Sequence, residues 1–269
     1  RLRMSRGLGD VYKRQILNGT TNFILTMMIE EGMSFEEALK IAQEKGYAEK
    51  DPTADVEGHD ACRKVCILAS LAFGKHVYPN QVETEGITKI SLEDVSYIEN
   101  AGGVIKLLGQ IKYINDNEIA AFVSPAVVYN GSQLASVKDV FNAILVRGDA
   151  VGDVCFYGPG AGKLPTASAV VADIIDCAKH SDRKKIFGWG EGSENYVVDY
   201  KEKIEMPFYV RAKATPNEVN SKFADVKFLS RKGQPSDEVA FITDYMTENK
   251  LNKKLDGMNV INTIKVTNY

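Results

Sequence analysis

The chain has 269 residues, a formal net charge of −3 and 44% hydrophobic content, enough for one large or two ordinary domains with a sizeable core. Nearly balanced charge leaves no basic field for nucleic acid or an anionic membrane, and no apolar run reaches the roughly 18 residues that a membrane span needs. The four cysteines (Cys62, Cys66, Cys155, Cys177) make neither a Cys-x-x-Cys pair nor a disulfide ladder, and the three histidines are scattered, so spacing assembles no metal cluster. The composition is that of a soluble, cytoplasmic protein.

Residues 1–15 carry five Lys/Arg and no apolar core, which rules out a signal peptide. Gly7-Leu-Gly9 is followed by Tyr12 where a dinucleotide fingerprint needs its third glycine. We set 1–15 aside as an extraneous segment and expect the fold to begin at residue 16. A helix is predicted over 21–31, ended by Gly32. Ser34-Phe-Glu-Glu37 is a capping box opening a second helix that stops at Gly46. A third helix follows Gly58 and ends near Gly74.

From about residue 79 the period changes. Ser91-Leu-Glu-Asp94 caps a short helix, and 104–114 and 118–129 read as strands around a turn at Asn115-Asp-Asn117. A second strand pair, 142–147 and 153–157, flanks Gly148-Asp149. Residues 166–178, rich in Ala and Val, form a helix behind Pro165. Helices over one face of a mixed, largely antiparallel sheet define an α+β domain over 16–190. The polar stretch 191–205 reads as a linker. Beyond it, over 206–269, come strand 207–214, helix 217–224, strands 226–230 and 238–246, helix 248–255 and strand 260–266, a βαββαβ order typical of a small ferredoxin-like domain.

The chemistry concentrates between Ala42 and Lys64. Glu49 and Asp55 lie in a loop bounded by Gly46, Pro52 and Gly58, which permit sharp turns. Asp60 and Lys64 are four apart and share a helix face. An ordinary surface pair of this kind contributes only about 0.3–0.5 kcal/mol. Ile67 and Leu71 continue the same stripe, so we expect the pair to lie against a buried surface, where a lysine beside carboxylates can deliver a proton or bind an anionic oxygen.

The segment with Ala42, Gly46-Tyr47-Ala48, Asp51-Pro52, Asp55-Val56, Gly58, Asp60 and Lys64 resembles the signature of homoserine dehydrogenases. Ile16-Leu-Asn-Gly-Thr-Thr-Asn-Phe-Ile24, Glu85-Gly-Ile-Thr-Lys-Ile90, Val104-Ile-Lys-Leu-Leu-Gly109 and Gly158-Pro-Gly-Ala-Gly162 also resemble that family, over roughly 16–180. The resemblance implies catalytic roles for Lys64, as proton donor or charge, and for Asp60, which orients it. It implies that Glu49 and Asp55 bind the substrate ammonium group, that Tyr47 and Thr20 line the pocket, and that Gly160 and Gly162 approach the nicotinamide of NADP or NAD. The implied reaction interconverts L-homoserine and L-aspartate 4-semialdehyde, on the route to threonine and methionine. A homodimer or homotetramer is implied as well.

The family's nucleotide-binding domain has no counterpart in this sequence, nor has its second, upstream lysine, so the isolated chain is expected to be inactive. Val170, Val171, Ile174 and Ile175 are then expected to form an exposed apolar patch. The βαββαβ segment resembles an ACT domain, although Thr215-Pro-Asn-Glu218 replaces the Asp-x-Pro-Gly turn that holds an effector. A dimer contact is the favoured role for it. The competing reading is a non-catalytic amino-acid-binding or regulatory protein.

Overall fold

The computed structural model describes residues 10–182 and 188–267. The strands are β1 (Asp10–Ile16), β2 (Glu83–Thr84), β3 (Gly103–Asn115), β4 (Glu118–Tyr129), β5 (Phe141–Gly148), β6 (Gly152–Pro159), β7 (Phe208–Lys213), β8 (Val226–Leu229), β9 (Glu238–Thr243) and β10 (Asn259–Val266). They form one sheet in the order β6-β5-β1-β3-β4-β10-β7-β9-β8, with β2 alongside β4. Pairings are antiparallel except β2–β4 and β10–β4, which are parallel.

The helices are α1 (Gly19–Glu30), α2 (Phe35–Glu44), α3 (Thr53–Val56), α4 (His59–Phe73), α5 (Leu92–Asn100), α6 (Lys163–Lys179), α7 (Tyr200–Lys203), α8 (Pro216–Lys222) and α9 (Glu248–Leu255). Local chemistry sets their ends. Ser34 and Glu37 close a capping box on α2, and Ser91 and Asp94 close another on α5. Gly58 and Gly74 bracket α4 with φ of +81° and +74°, a left-handed conformation that costs glycine nothing.

β3 and β4 pair along almost their whole length and are covered on both faces. Ile105, Leu107, Ile111, Val123 and Val127 pack in the main core with α1, α4 and α5. Leu108, Ala126 and Val128 join Ile16, Leu134 and Val137 in one cluster on the other face, and Phe122 joins Tyr200 and Ile204 in another. Two-sided burial explains why these strands read as nearly continuous apolar runs rather than as clean alternation.

Several expectations are corrected. Residues 10–15 are part of β1, an interior strand that pairs with β3 and β5; residues 1–9 lie outside the described residues. Its cationic side chains hide the strand, because the Lys13 ammonium lies over the Phe73 ring and the Arg14 guanidinium over the Tyr12 ring, charges held on aromatic faces. The segment 191–205 is no free connector. Tyr196, Tyr200 and Ile204 are buried, Val197 bridges to Ile119, and Tyr200 stacks on Phe122 with ring centroids 4.1 Å apart. Helix α6 begins at Lys163, three residues before the expected start, with Pro165 inside its first turn.

The last four strands, in the order β10-β7-β9-β8 with α8 and α9, have the connectivity read from the sequence. Their sheet continues that of the first 190 residues through β10 on β4. A polar joint reinforces the contact. Asp94 of α5 is buried and accepts from Tyr209 Oη at 2.9 Å and Asn262 Nδ2 at 2.8 Å, with Arg211 Nε 3.2 Å away. On α6, Val170, Val171, Ile174 and Ile175 are exposed, as is Leu164. Among the described residues no helix is long and apolar enough to cross a membrane.

Candidate active site

Helix α4 carries Asp60 in its first turn and Lys64 one turn later, and the two side chains meet. Lys64 Nζ lies 2.6 Å from Asp60 Oδ2 and donates to the Leu17 carbonyl at 2.9 Å. Leu17 directly follows the end of β1, so the strand's exit fixes the lysine's second anchor. An ammonium has three N–H donors, and these contacts occupy two of them. The Lys64 side chain is 44% exposed and that of Asp60 29%, so the third donor faces an opening.

Asn18 ties the carboxylates together. Its Nδ2 donates to Asp55 Oδ1 at 2.7 Å and to Asp60 Oδ2 at 2.8 Å, while its Oδ1 caps α1 by accepting from Thr21 N at 2.8 Å. One amide thereby starts a helix and holds two acids side by side, which would otherwise repel. The buried Thr20 hydroxyl donates to the Tyr47 carbonyl at 2.6 Å, and the Tyr47 ring meets Phe23 edge-on at 5.1 Å. These contacts pin the loop after α2 to the N-terminus of α1.

Thus Asp55, Asp60 and Lys64 are linked through Asn18, while Thr20 and Tyr47 form a second contact group at the start of α1. Glu49 stands apart: it is exposed, and its main-chain carbonyl accepts from Gln43 Nε2 at 3.1 Å. Among the described residues no hydrogen bond or ion pair joins its carboxylate to Asp60 or Lys64. The expectation of a buried stripe beyond Lys64 is also corrected, since Ile67 and Leu71 are 53% and 51% exposed. Only the opposite side of α4, with Ala61, Val65 and Ala69, faces the core.

Gly160 and Gly162 lie between β6 and α6. Gly162 is the N-cap of α6 with φ of +120°, and no side chain caps that helix. The first-turn N–H groups are therefore available to an anionic or polar ligand. Gly160 packs against Asn142, whose Nδ2 donates to the Leu17 carbonyl at 3.2 Å. This side chain joins the glycine loop to the Lys64 cluster.

Asn18 and Asn142 escaped sequence reasoning. Asn18 precedes a helix in a Gly-Thr-Thr context, which signals a cap, but nothing in the spacing gives its second amide function. A cavity of about 210 Å³ opens elsewhere, beside Arg14, Gln110, Lys112, Phe122, Met206 and Lys265. None of the site residues lines it.

A buried lysine and a pair of buried thiols next to this region have shifted protonation. Lys106 of β3 donates to Asn22 Oδ1 at 3.0 Å and to the Val137 carbonyl at 2.6 Å, and burial pushes its ammonium down to about 8. Cys62 and Cys66 of α4 are buried free thiols that share a hydrogen bond, which lowers Cys62 and raises Cys66.

The architecture is that of a known α+β class built on a large, mostly antiparallel mixed sheet. A solved homoserine dehydrogenase from Thiobacillus denitrificans superposes with a TM-score of 0.84 over 97% of this chain and 65% of that one, at 32% identity. A hyperthermophilic archaeal homoserine dehydrogenase mutant, solved in complex with NADPH, gives 0.52 over 64% of this chain and 49% of that one, at 29% identity. The family model for homoserine dehydrogenase matches residues 12–175, beginning within β1. The homoserine dehydrogenase of Bacillus subtilis (strain 168) is 47% identical over 165 residues, 61% of this chain and 38% of its own length. The chain belongs to the homoserine dehydrogenase family. It spans well under half the length of this curated relative.

Proposed function

We propose that this chain forms the substrate side of an NAD(P)-dependent homoserine dehydrogenase, which interconverts L-homoserine and L-aspartate 4-semialdehyde in threonine and methionine biosynthesis in the cytoplasm. The observation that carries this reading is the Lys64 ammonium, anchored by Asp60 Oδ2 and the Leu17 carbonyl with one donor left over.

As an aldehyde becomes an alcohol, negative charge gathers on its oxygen and a proton must arrive there. The third N–H of Lys64 meets both needs. Asp60 keeps the ammonium aimed, and Asn18 keeps Asp60 in place. Asp55 and the exposed Glu49 supply anionic groups for the substrate ammonium, while Thr20 and Tyr47 shape the wall between them.

NADP or NAD, when bound, supplies or accepts the hydride. The loop 160–162 fits its nicotinamide end, with two glycines, an uncapped helix N-terminus and the buried Asn142 Oδ1 without a partner. The exposed apolar residues of α6, with Ile67 and Leu71, suit the packing of a nucleotide-binding unit. The four-stranded βαββαβ part is read as an ACT-like domain, used for assembly into a homodimer or homotetramer.

The test is activity with and without a nucleotide-binding unit. The 269-residue chain alone should oxidise NADPH negligibly in the presence of aspartate semialdehyde. Fused behind the nucleotide-binding unit of a relative, it should turn over. A folded fusion that binds NADPH yet leaves the semialdehyde untouched would refute the enzyme reading and favour a non-catalytic amino-acid-binding role.

A further inference from the structure

We propose that Asn142 is a positioning residue that couples the loop 160–162 to the Lys64 ammonium through a shared acceptor, the Leu17 carbonyl. The functional meaning of this coupling rests on the reading given above; its existence does not.

Asn142 lies near the start of β5, where it faces both parties. On one side β5 pairs with β1, Ile16 lying opposite Ala143, so Asn142 stands beside the point where β1 runs out into Leu17. On the other side Asn142 itself pairs with Gly158 of β6. Its Nδ2 donates to the Leu17 carbonyl at 3.2 Å, and Lys64 Nζ donates to the same oxygen at 2.9 Å. A carbonyl oxygen has two lone pairs, and these two donors fill them. The direction of the Leu17 carbonyl, and with it the seat of Lys64, thus depends on where the Asn142 amide points.

The loop sets that direction. A Cβ at Gly160 would lie 1.9 Å from Asn142 Nδ2 and 2.6 Å from its Cγ, so the main chain of Gly160 leans directly on the amide. The other end of the amide is unsettled. Asn142 Oδ1 is buried with no hydrogen-bond partner, an unusual state for an amide oxygen away from water. The nearby loop carries N–H groups at Gly160, Ala161 and Gly162. A small shift of the loop that presents one of them to Oδ1 turns the amide and re-aims the Leu17 carbonyl. Occupation of the loop is in this way felt at Lys64 without direct contact between them.

A double-mutant cycle in the 269-residue chain tests the coupling with no cofactor or substrate present. The readout is the side-chain ammonium nitrogen NMR resonance of Lys64, assigned by its loss in Lys64→Arg. Gly160→Ala should displace this resonance in the wild-type background. In an Asn142→Ala background, where the added methyl has room, the same change should move it about fivefold less or not at all. Equal displacement in both backgrounds, or none in either, overturns the proposal. If Gly160→Ala does not fold, Asn142→Ser takes its place, and an unchanged Lys64 resonance in that variant is the refuting result. A fusion that fails to turn over while the cycle shows coupling would refute the enzyme reading alone.

Discussion

Asn18→Asp is the substitution that probes the carboxylate cluster most sharply. It preserves the acceptor that caps α1 at Thr21 N and removes the two donors held by Asp55 Oδ1 and Asp60 Oδ2. Hydrogen bonds to charged groups contribute about 1.5–3 kcal/mol each. Asp60 is partly exposed, so the lower end applies, and losing both costs about 3 kcal/mol. The new carboxylate would sit within hydrogen-bond distance of two others, which adds repulsion that only protonation relieves. Asn18→Ala loses the same two bonds plus the cap, worth about 1 kcal/mol, but adds no charge. Urea denaturation of the three proteins at neutral pH and near pH 4 checks this. The Asp variant should recover stability relative to the Ala variant on acidification. If it matches wild type at neutral pH, or its penalty is the same at both pH values, the bridging role of Asn18 is refuted.

Two further outcomes follow from buried charge. Lys106 is held down to about 8 in the folded chain, against about 10.4 when unfolded. Between these values the unfolded chain binds more protons, so stability should rise with pH over about 8 to 10.4, by about 3 kcal/mol relative to Lys106→Met; parallel pH profiles for the two proteins would contradict it. Asp94→Ala should cost about 2–3 kcal/mol by urea denaturation, because it removes the acceptor shared by Tyr209 and Asn262 and leaves the nearly buried Arg211 only the Glu93 carboxylate at 3.5 Å. A loss below about 1 kcal/mol would show that the joint between α5 and the last four strands does not depend on this carboxylate.

What the sequence makes legible here is mostly local. The capping boxes at Ser34 and Ser91, the turn at Asn115-Asp-Asn117 and the glycine ends of α4 each depend on residues a few positions apart, and each appears in the structure. β1 was hidden because its lysine and arginine lie over aromatic rings contributed partly from α4. The segment 191–205 reads as a linker because its few buried anchors, Tyr196, Tyr200 and Ile204, are outnumbered by polar residues. In the site, the Asp60–Lys64 pair follows from helical spacing. Asn18 finds its carboxylates 37 and 42 residues away, and Asn142 acts on a main-chain carbonyl 125 residues distant. No local pattern encodes such contacts. They exist only once the sheet has brought β1, β5 and α4 together.

The central claim is that the Lys64 ammonium gives its spare proton to the forming alkoxide. In the fused chain that carries a nucleotide-binding unit, kcat for reduction of aspartate semialdehyde is the direct measure. Lys64→Ala should lower kcat by about 10²–10⁴ with KM little altered, since the lost interaction belongs to the transition state. A kcat within about threefold of the unsubstituted fusion, in a variant that folds and binds NADPH equally well, would contradict it.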